Sequence, residues 1–90
     1  MSDICKTAAA GTMESSDAFV EISPNENGIV LDIESVVKGQ FGDEIACVVQ
    51  DVLAQCNVKN ARVSVTDRGA LECVLRARVE TAVVRGKGEA

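Results

Sequence analysis

The sequence predicts a small α+β domain in which one main helix packs on one face of a single sheet. Apolar and polar residues alternate in 29–34 and in 62–66, which is the period of a half-buried strand. Between these segments, residues 42–56 carry apolar side chains at helical spacing. A chain of 90 residues, 47% of them hydrophobic, is sufficient for one domain with a modest core.

Two short strands are expected before the helix, joined as a β-hairpin. Residues 19–22 are β-prone, and residues 23–28 contain proline, asparagine and glycine, which together are a strong turn signal. Residues 29–34 then alternate, with Ile29, Leu31 and Ile33 expected to point to the same face.

The clearest helix is predicted over residues 42–56. Asp43 and Glu44 are expected in its first turn, where the helix dipole favours acids, and Asn57 is a suitable residue for its end. Residues 36–41 are expected to form a leading turn. The apolar stripe consists of Ile45, Val48, Val49, Val52, Leu53 and Cys56.

A second hairpin is expected in the C-terminal part. After the strand at 62–66, Asp67-Arg68-Gly69 suits a tight turn, and residues 70–79 fit a second alternating strand. A short helical end through Arg85 would follow, which gives the order ββαββ. One long helix is the alternative for residues 70–79, but it places Arg78 in the middle of an apolar stripe.

Residues 1–17 are expected to be a flexible arm, residues 18–86 the domain, and residues 87–90 a tail. The arm contains Ser15 and Ser16 in a short acidic segment. Because the chain has no histidine that could act as a base, these hydroxyls are better placed to carry a group than to attack one. An ordinary polar tail is the alternative interpretation.

Composition argues against several classes of partner and site. Residues 1–35 contain seven acidic residues and one basic residue, and the chain has two aromatic residues, so a nucleic-acid partner is not expected. No apolar run is long enough for a membrane span and no signal peptide is visible, so a cytoplasmic protein is expected. The four cysteines lack metal-ligand spacing and are expected to be small apolar residues kept reduced.

Three arginines could form a basic face if residues 70–79 were a strand. Arg76 and Arg78 would share one face, and Arg62 on the neighbouring strand could join them. Such a face could hold phosphate or the carboxylates of a partner. The alternative is a solvated face whose charges pair with Glu72 and Glu80.

Three segments together resemble the acyl carrier protein (gamma chain) of citrate lyase. They are residues 10–17 (AGTMESSD), residues 40–43 (QFGD) and, most specifically, residues 67–80 (DRGALECVLRARVE). The similarity extends from about Ala8 to Arg85, in the right order and at the right separation.

The resemblance implies a covalently modified carrier subunit rather than an enzyme, with no catalytic residue and no metal. Members carry a phosphoribosyl-dephospho-coenzyme A group on the serine that corresponds to Ser15, although the chemistry alone leaves Ser16 open. The group would bear acetyl and citryl thioesters while the alpha and beta subunits of citrate lyase cleave citrate to oxaloacetate and acetate. A prosthetic-group transferase and an acetylating ligase would be further partners. The carrier subunit of malonate decarboxylase and an unmodified protein-interaction module are the alternatives.

Overall fold

The computed structural model describes residues 4–35 and 38–88, with the side chains of the first helix described from residue 43 onward. This part of the chain forms a four-stranded sheet and two helices, which confirms the α+β class. In chain order the elements are β1 (Ala8–Gly11), β2 (Ala18–Ser23), β3 (Ile29–Ser35), α1 (Lys38–Gln55), β4 (Ala61–Asp67) and α2 (Glu72–Gly86). The order is therefore βββαβα rather than the expected ββαββ.

Strand β4 lies inside the sheet, whose order is β1-β2-β4-β3. It pairs antiparallel with β2 and parallel with β3. The predicted hairpin between residues 19–22 and 29–34 is therefore wrong, because these two strands lie on opposite sides of β4. Helix α1 connects β3 to β4, and a helical crossover is the usual connection between parallel strands. The link from β2 to β3 is attached to the start of β4, where Ala61 N donates to Gly28 O at 3.1 Å.

Residues 70–79 do not form the predicted strand, and the alternative of one long helix is the one that the chain adopts. Strand β4 already pairs on both sides, so a hairpin partner that followed it would find no free edge. The predicted helical end through Arg85 is the last part of α2. Helical spacing buries one stripe of α2, made of Leu75, Val79, Ala82, Val83 and Gly86.

Helix α1 confirms the helix predicted over 42–56 but begins earlier, at Lys38. Its first turn consequently contains no acid, contrary to the position expected for Asp43 and Glu44. Asn57 ends the helix as predicted, with a φ of 60°. The leading turn expected over 36–41 falls partly on residues 36 and 37, outside the described residues, and is helical from Lys38 onward.

Both helices cover the same face of the sheet. Alternate residues of β2 and β4 are buried against them, while residues such as Glu21 and Arg62 face away and are exposed. The buried side chains of these two strands are Ala18, Val20, Ile22, Ala61, Val63 and Val65. Neither helix in the described part of the chain has the length and apolar character of a membrane span.

The N-terminal segment packs against the rest of the domain. Residues 8–11, which were expected to belong to the arm, form the edge strand β1 and pair antiparallel with β2. Ile4 is 1% exposed, and Cys5 N donates a hydrogen bond to Gly86 O at the end of α2, at 2.9 Å. Ser15 thus belongs to the loop that connects strands β1 and β2, rather than to a free N-terminal arm.

Candidate functional site

Ser15 lies in the loop that joins β1 to β2, which we call the serine loop (residues 12–17). Gly11 lies opposite Phe19 in the antiparallel pair, so the loop projects from one end of the sheet. Gly11 has a φ of +96°, and a Cβ at this position would overlap the carbonyl oxygen of Ala18. Glycine is therefore required where the chain leaves β1.

A tight turn over residues 14–17 presents Ser15. Asp17 N donates to Glu14 O at 3.2 Å, and Ser16 has a φ of 65° in the left-handed region. Ser15 is exposed, and no described residue forms a hydrogen bond with its hydroxyl. The turn therefore leaves the Ser15 side chain exposed, with its hydroxyl unbonded to the described residues.

Asp17 fixes the end of the serine loop. Its carboxylate accepts hydrogen bonds from Arg78 Nε at 2.9 Å and Arg78 Nη2 at 3.1 Å. It also accepts from Thr12 Oγ1 and from Ala18 N, both at 2.7 Å. The bonds from Arg78, followed by those from Thr12 and Ala18, hold the pKa of Asp17 well below its usual range. The loop is thereby attached to α2 through an ionised carboxylate.

Backbone hydrogen bonds attach the serine loop to the connection between β4 and α2. Ser16 N donates to Arg68 O at 2.8 Å, and Arg68 N donates to Asp17 O at 2.9 Å. The backbone is therefore held at Ser16 and Asp17, whereas no such bond to this connection is made by Ser15 among the described residues.

Buried Asp67 holds the connection itself in place. Its carboxylate accepts hydrogen bonds from Ser35 Oγ at 2.8 Å and from Ala70 N at 2.9 Å. One side chain thus joins the ends of β3 and β4 to the approach to α2. The surface on which the serine loop rests is consequently part of the folded domain.

The three arginines predicted to form one basic face are not together. Arg62 is exposed on β4, whereas Arg76 and Arg78 belong to α2. Arg76 Nη1 lies 2.6 Å from Asp51 Oδ2, and its Nε lies 3.0 Å from Glu72 Oε2. Hydrogen bonds to Asp51 and then Glu72 raise the pKa of Arg76. The predicted basic face is wrong because it depended on a strand after β4, whereas the expected pairing with Glu72 is present.

The chemistry available in the serine loop is that of an accessible hydroxyl. The chain has no histidine, and its described residues contain no group of three or more potential ligands that could hold a metal ion. The cysteines were expected to be small apolar filler, but three of the four free cysteines, Cys5, Cys47 and Cys73, are exposed. Within the serine loop, the described structure presents the exposed side chain of Ser15 as a candidate attachment point.

The contact between Asp17 and Arg78 was missed by reasoning from the sequence. The sequence feature that could have indicated it is Arg78 itself. A charged residue inside an apolar helical stripe requires a partner or access to water. Arg78 has both, since its side chain is 40% exposed and bonded to Asp17.

Comparisons with known proteins identify the family. Residues 5–86 match the acyl carrier family described as malonate decarboxylase delta subunit (MdcD). The chain is 55% identical over 84 residues to the citrate lyase acyl carrier protein of Escherichia fergusonii, across 92% of this chain and 87% of that protein. It is 58% identical over 79 residues to that of Klebsiella pneumoniae, across 87% and 81%. It is 41% identical over 87 residues to that of Latilactobacillus sakei, across 97% and 86%.

The fold also occurs in a solved structure of a Pseudomonas malonate decarboxylase hetero-tetramer in complex with malonate. One chain of that structure superposes with a TM-score of 0.78 at 20% identity, over 90% of this chain and 84% of that chain. At this identity the likeness concerns the fold alone. The sequence relatives, at 41% to 58% identity, are named as carriers, which are subunits that hold an acyl group rather than catalysts. The chain therefore belongs to the family of citrate lyase acyl carrier proteins.

Proposed function

We propose that this chain is the acyl carrier subunit of a citrate lyase, with a phosphoribosyl-dephospho-coenzyme A group attached to Ser15. The observation that carries the proposal is the exposed Ser15 hydroxyl in a turn whose last two residues, Ser16 and Asp17, are bonded to the domain. When attached, the group supplies the terminal thiol that holds the acetyl or citryl group while citrate is cleaved to oxaloacetate and acetate.

The serine loop suits such a group. A phosphodiester on Ser15 Oγ needs an oxygen that a transferase can reach, and this hydroxyl forms no hydrogen bond with the described residues. Ser16 is less suitable, because its amide is bonded to Arg68 O and its backbone is in the left-handed region. These features support Ser15 over Ser16 as the attachment point.

A carrier needs an attachment point that is exposed but belongs to a folded domain. The serine loop meets this need, because its backbone is bonded to the domain at Ser16 and Asp17 while the Ser15 side chain is exposed. A tethered acyl group stays at high effective concentration near the active sites of its partners, provided that the tether can reach them. The partners would be the alpha and beta subunits of citrate lyase, together with a transferase that attaches the group and a ligase that acetylates it. A cytoplasmic location remains a prediction.

Intact mass spectrometry tests this proposal on the chain co-expressed with its modification enzymes. Trypsin should release residues 7–38 as one peptide, within which fragmentation separates Ser15 from Ser16. We expect the mass of the prosthetic group on Ser15, its loss in Ser15→Ala and its retention in Ser16→Ala. Loading that persists in Ser15→Ala would contradict the site, and an unmodified chain beside active enzymes would leave only an interaction module.

The carrier of malonate decarboxylase is the second candidate, favoured by the matching family and the shared fold. Mass alone does not separate the two, because the resemblance implies the same kind of group for both. Mixing the loaded chain with either set of catalytic subunits does so. We expect oxaloacetate from citrate with citrate lyase alpha and beta subunits, and carbon dioxide release from malonate would instead support the alternative.

A further inference from the structure

Arg68 lies directly beside the serine loop. Its backbone oxygen accepts from Ser16 N at 2.8 Å, and its backbone nitrogen donates to Asp17 O at 2.9 Å. These two bonds place Arg68 across from the last two residues of the loop. The residue is exposed, and no described residue pairs with its guanidinium group.

Three other arginines are engaged within the domain. Arg76 pairs with two acids and Arg78 with one, at distances from 2.6 to 3.1 Å. Arg85 Nη1 donates to a backbone oxygen of β1 at 2.8 Å. Arg68 is therefore the arginine at the serine loop whose donors are available for an added anion.

Arg62 also has no partner among the described residues, but it lies at the opposite end of β4. It pairs in register with Ser23, whereas Asp67 pairs with Ala18 at the end that carries the serine loop. Five strand residues at about 3.3 Å each put Arg62 roughly 17 Å from Asp67. Arg62 is consequently a matched control, with the same charge and exposure but the wrong position.

We propose that Arg68 is an anion-binding residue that holds the phosphate of a phosphodiester attached to Ser15. The inference rests on the proposed function, because it concerns the group that Ser15 would carry. A guanidinium group can donate two parallel hydrogen bonds to a phosphate, which fixes orientation as well as charge.

The charges around the loop support this role. Arg78 balances the carboxylate of Asp17, so an added phosphate meets less repulsion from that acid. Glu14 is the other acid of the loop, and it is exposed to solvent. With the phosphate held at Arg68, the attachment point would be oriented while the rest of the group remained free to move.

The test uses the full chain with phosphoserine incorporated at position 15, so that it does not depend on the native modification. Phosphoserine has a second pKa of about 6, and a neighbouring guanidinium group lowers it by favouring the dianion. A phosphorus NMR titration measures this pKa in the otherwise unchanged chain and in the Arg68→Gln, Arg68→Lys and Arg62→Gln variants.

We expect the phosphate pKa to be about 0.5 lower with Arg68 than with Arg68→Gln, the size that an exposed ion pair supports. Arg62→Gln should leave the pKa unchanged, and Arg68→Lys should retain part of the effect. Equal pKa values with and without Arg68 would overturn the inference, as would equal effects of Arg62→Gln and Arg68→Gln. Failure of the proposed function would instead appear as an unmodified mass in the native chain.

Discussion

Arg78 and Asp17 form a two-pronged ion pair across 61 positions of the chain, with Nε to Oδ1 at 2.9 Å and Nη2 to Oδ2 at 3.1 Å. The side chain of Asp17 is 14% exposed and that of Arg78 is 40% exposed, so the pair lies at the boundary between core and solvent. Bidentate geometry fixes the relative orientation of the two groups. Helix α2 thereby positions the end of the serine loop.

We expect Asp17→Asn to destabilise the domain at neutral pH and to lose this effect in acid. The folded-state pKa of Asp17 is depressed below the unfolded value of about 3.9, so its ionisation stabilises the fold above that pH. The stabilisation is lost as the pH falls from about 4 through the folded-state pKa. Urea unfolding measured from about pH 7 down to about pH 2.5 should show the unfolding midpoints of the unchanged chain and of Asp17→Asn converging. A constant difference across this range would exclude ionisation as its cause.

A comparison of Arg76 with Arg78 tests whether the ion pair with Asp17 determines the conformation of the serine loop. Arg76 joins α2 to Asp51 on α1, whereas Arg78 joins α2 to the serine loop. Amide NMR spectra of the two alanine variants should therefore differ, with the signal of Ser16 moved by Arg78→Ala and unchanged by Arg76→Ala. Equal effects would mean that α2, rather than the ion pair, determines the loop conformation.

Gly11→Ala should destabilise the domain more than Gly28→Ala. Both glycines have positive φ, +96° and +88°, so alanine is strained at either position by about 1 to 2 kcal/mol. At Gly11 the added Cβ would also overlap the oxygen of Ala18, whereas at Gly28 nothing lies within 4 Å. Urea unfolding should show an additional cost of at least about 1 kcal/mol at Gly11. Equal losses of stability in Gly11→Ala and Gly28→Ala would indicate that the serine loop moves to accommodate the added Cβ at no further cost in free energy.

Asp67→Asn should lower the free energy of unfolding by about 1 to 3 kcal/mol, the cost of weakening hydrogen bonds to a buried charged group. Asp67 is 4% exposed and accepts from both Ser35 and Ala70. An amide offers one accepting oxygen, and its nitrogen can only donate. Ser35→Ala removes one donor and should cost less in the same denaturant titration. A larger loss from Ser35→Ala than from Asp67→Asn would contradict the role of the Asp67 carboxylate as the group that joins Ser35 and Ala70.

The elements that sequence reasoning could predict are those with an unambiguous local period. Helix α1 and strands β3 and β4 show such periods, and each exists close to its predicted range. Their pairing was not predictable, because alternation is the same in an antiparallel hairpin and in a parallel pair. Strand β1 has only four small residues, and its pairing with β2 defines it.

The sequence of α2 fits both the two-residue period of a strand and the spacing of a helix. Non-local contacts decide between the two. Arg78 counted against a helix because it interrupts the apolar stripe. Its partner Asp17 lies 61 positions away and cannot be found from the local pattern. By contrast, the exposed position of Ser15 was predictable, because no apolar pattern surrounds the serine loop.

Val52→Asp should remove the folded domain that supports the serine loop. Val52 is 3% exposed on the apolar stripe of α1, so a carboxylate there would be buried without a partner. We expect a loss of about 3 kcal/mol or more in the free energy of unfolding, measured by urea titration. Gln50→Asp is the matched control, because Gln50 is exposed on the same helix and changes mainly helix propensity, by less than about 1 kcal/mol. Similar losses in the two variants would contradict the burial of this stripe and, with it, the packing of α1 on the sheet.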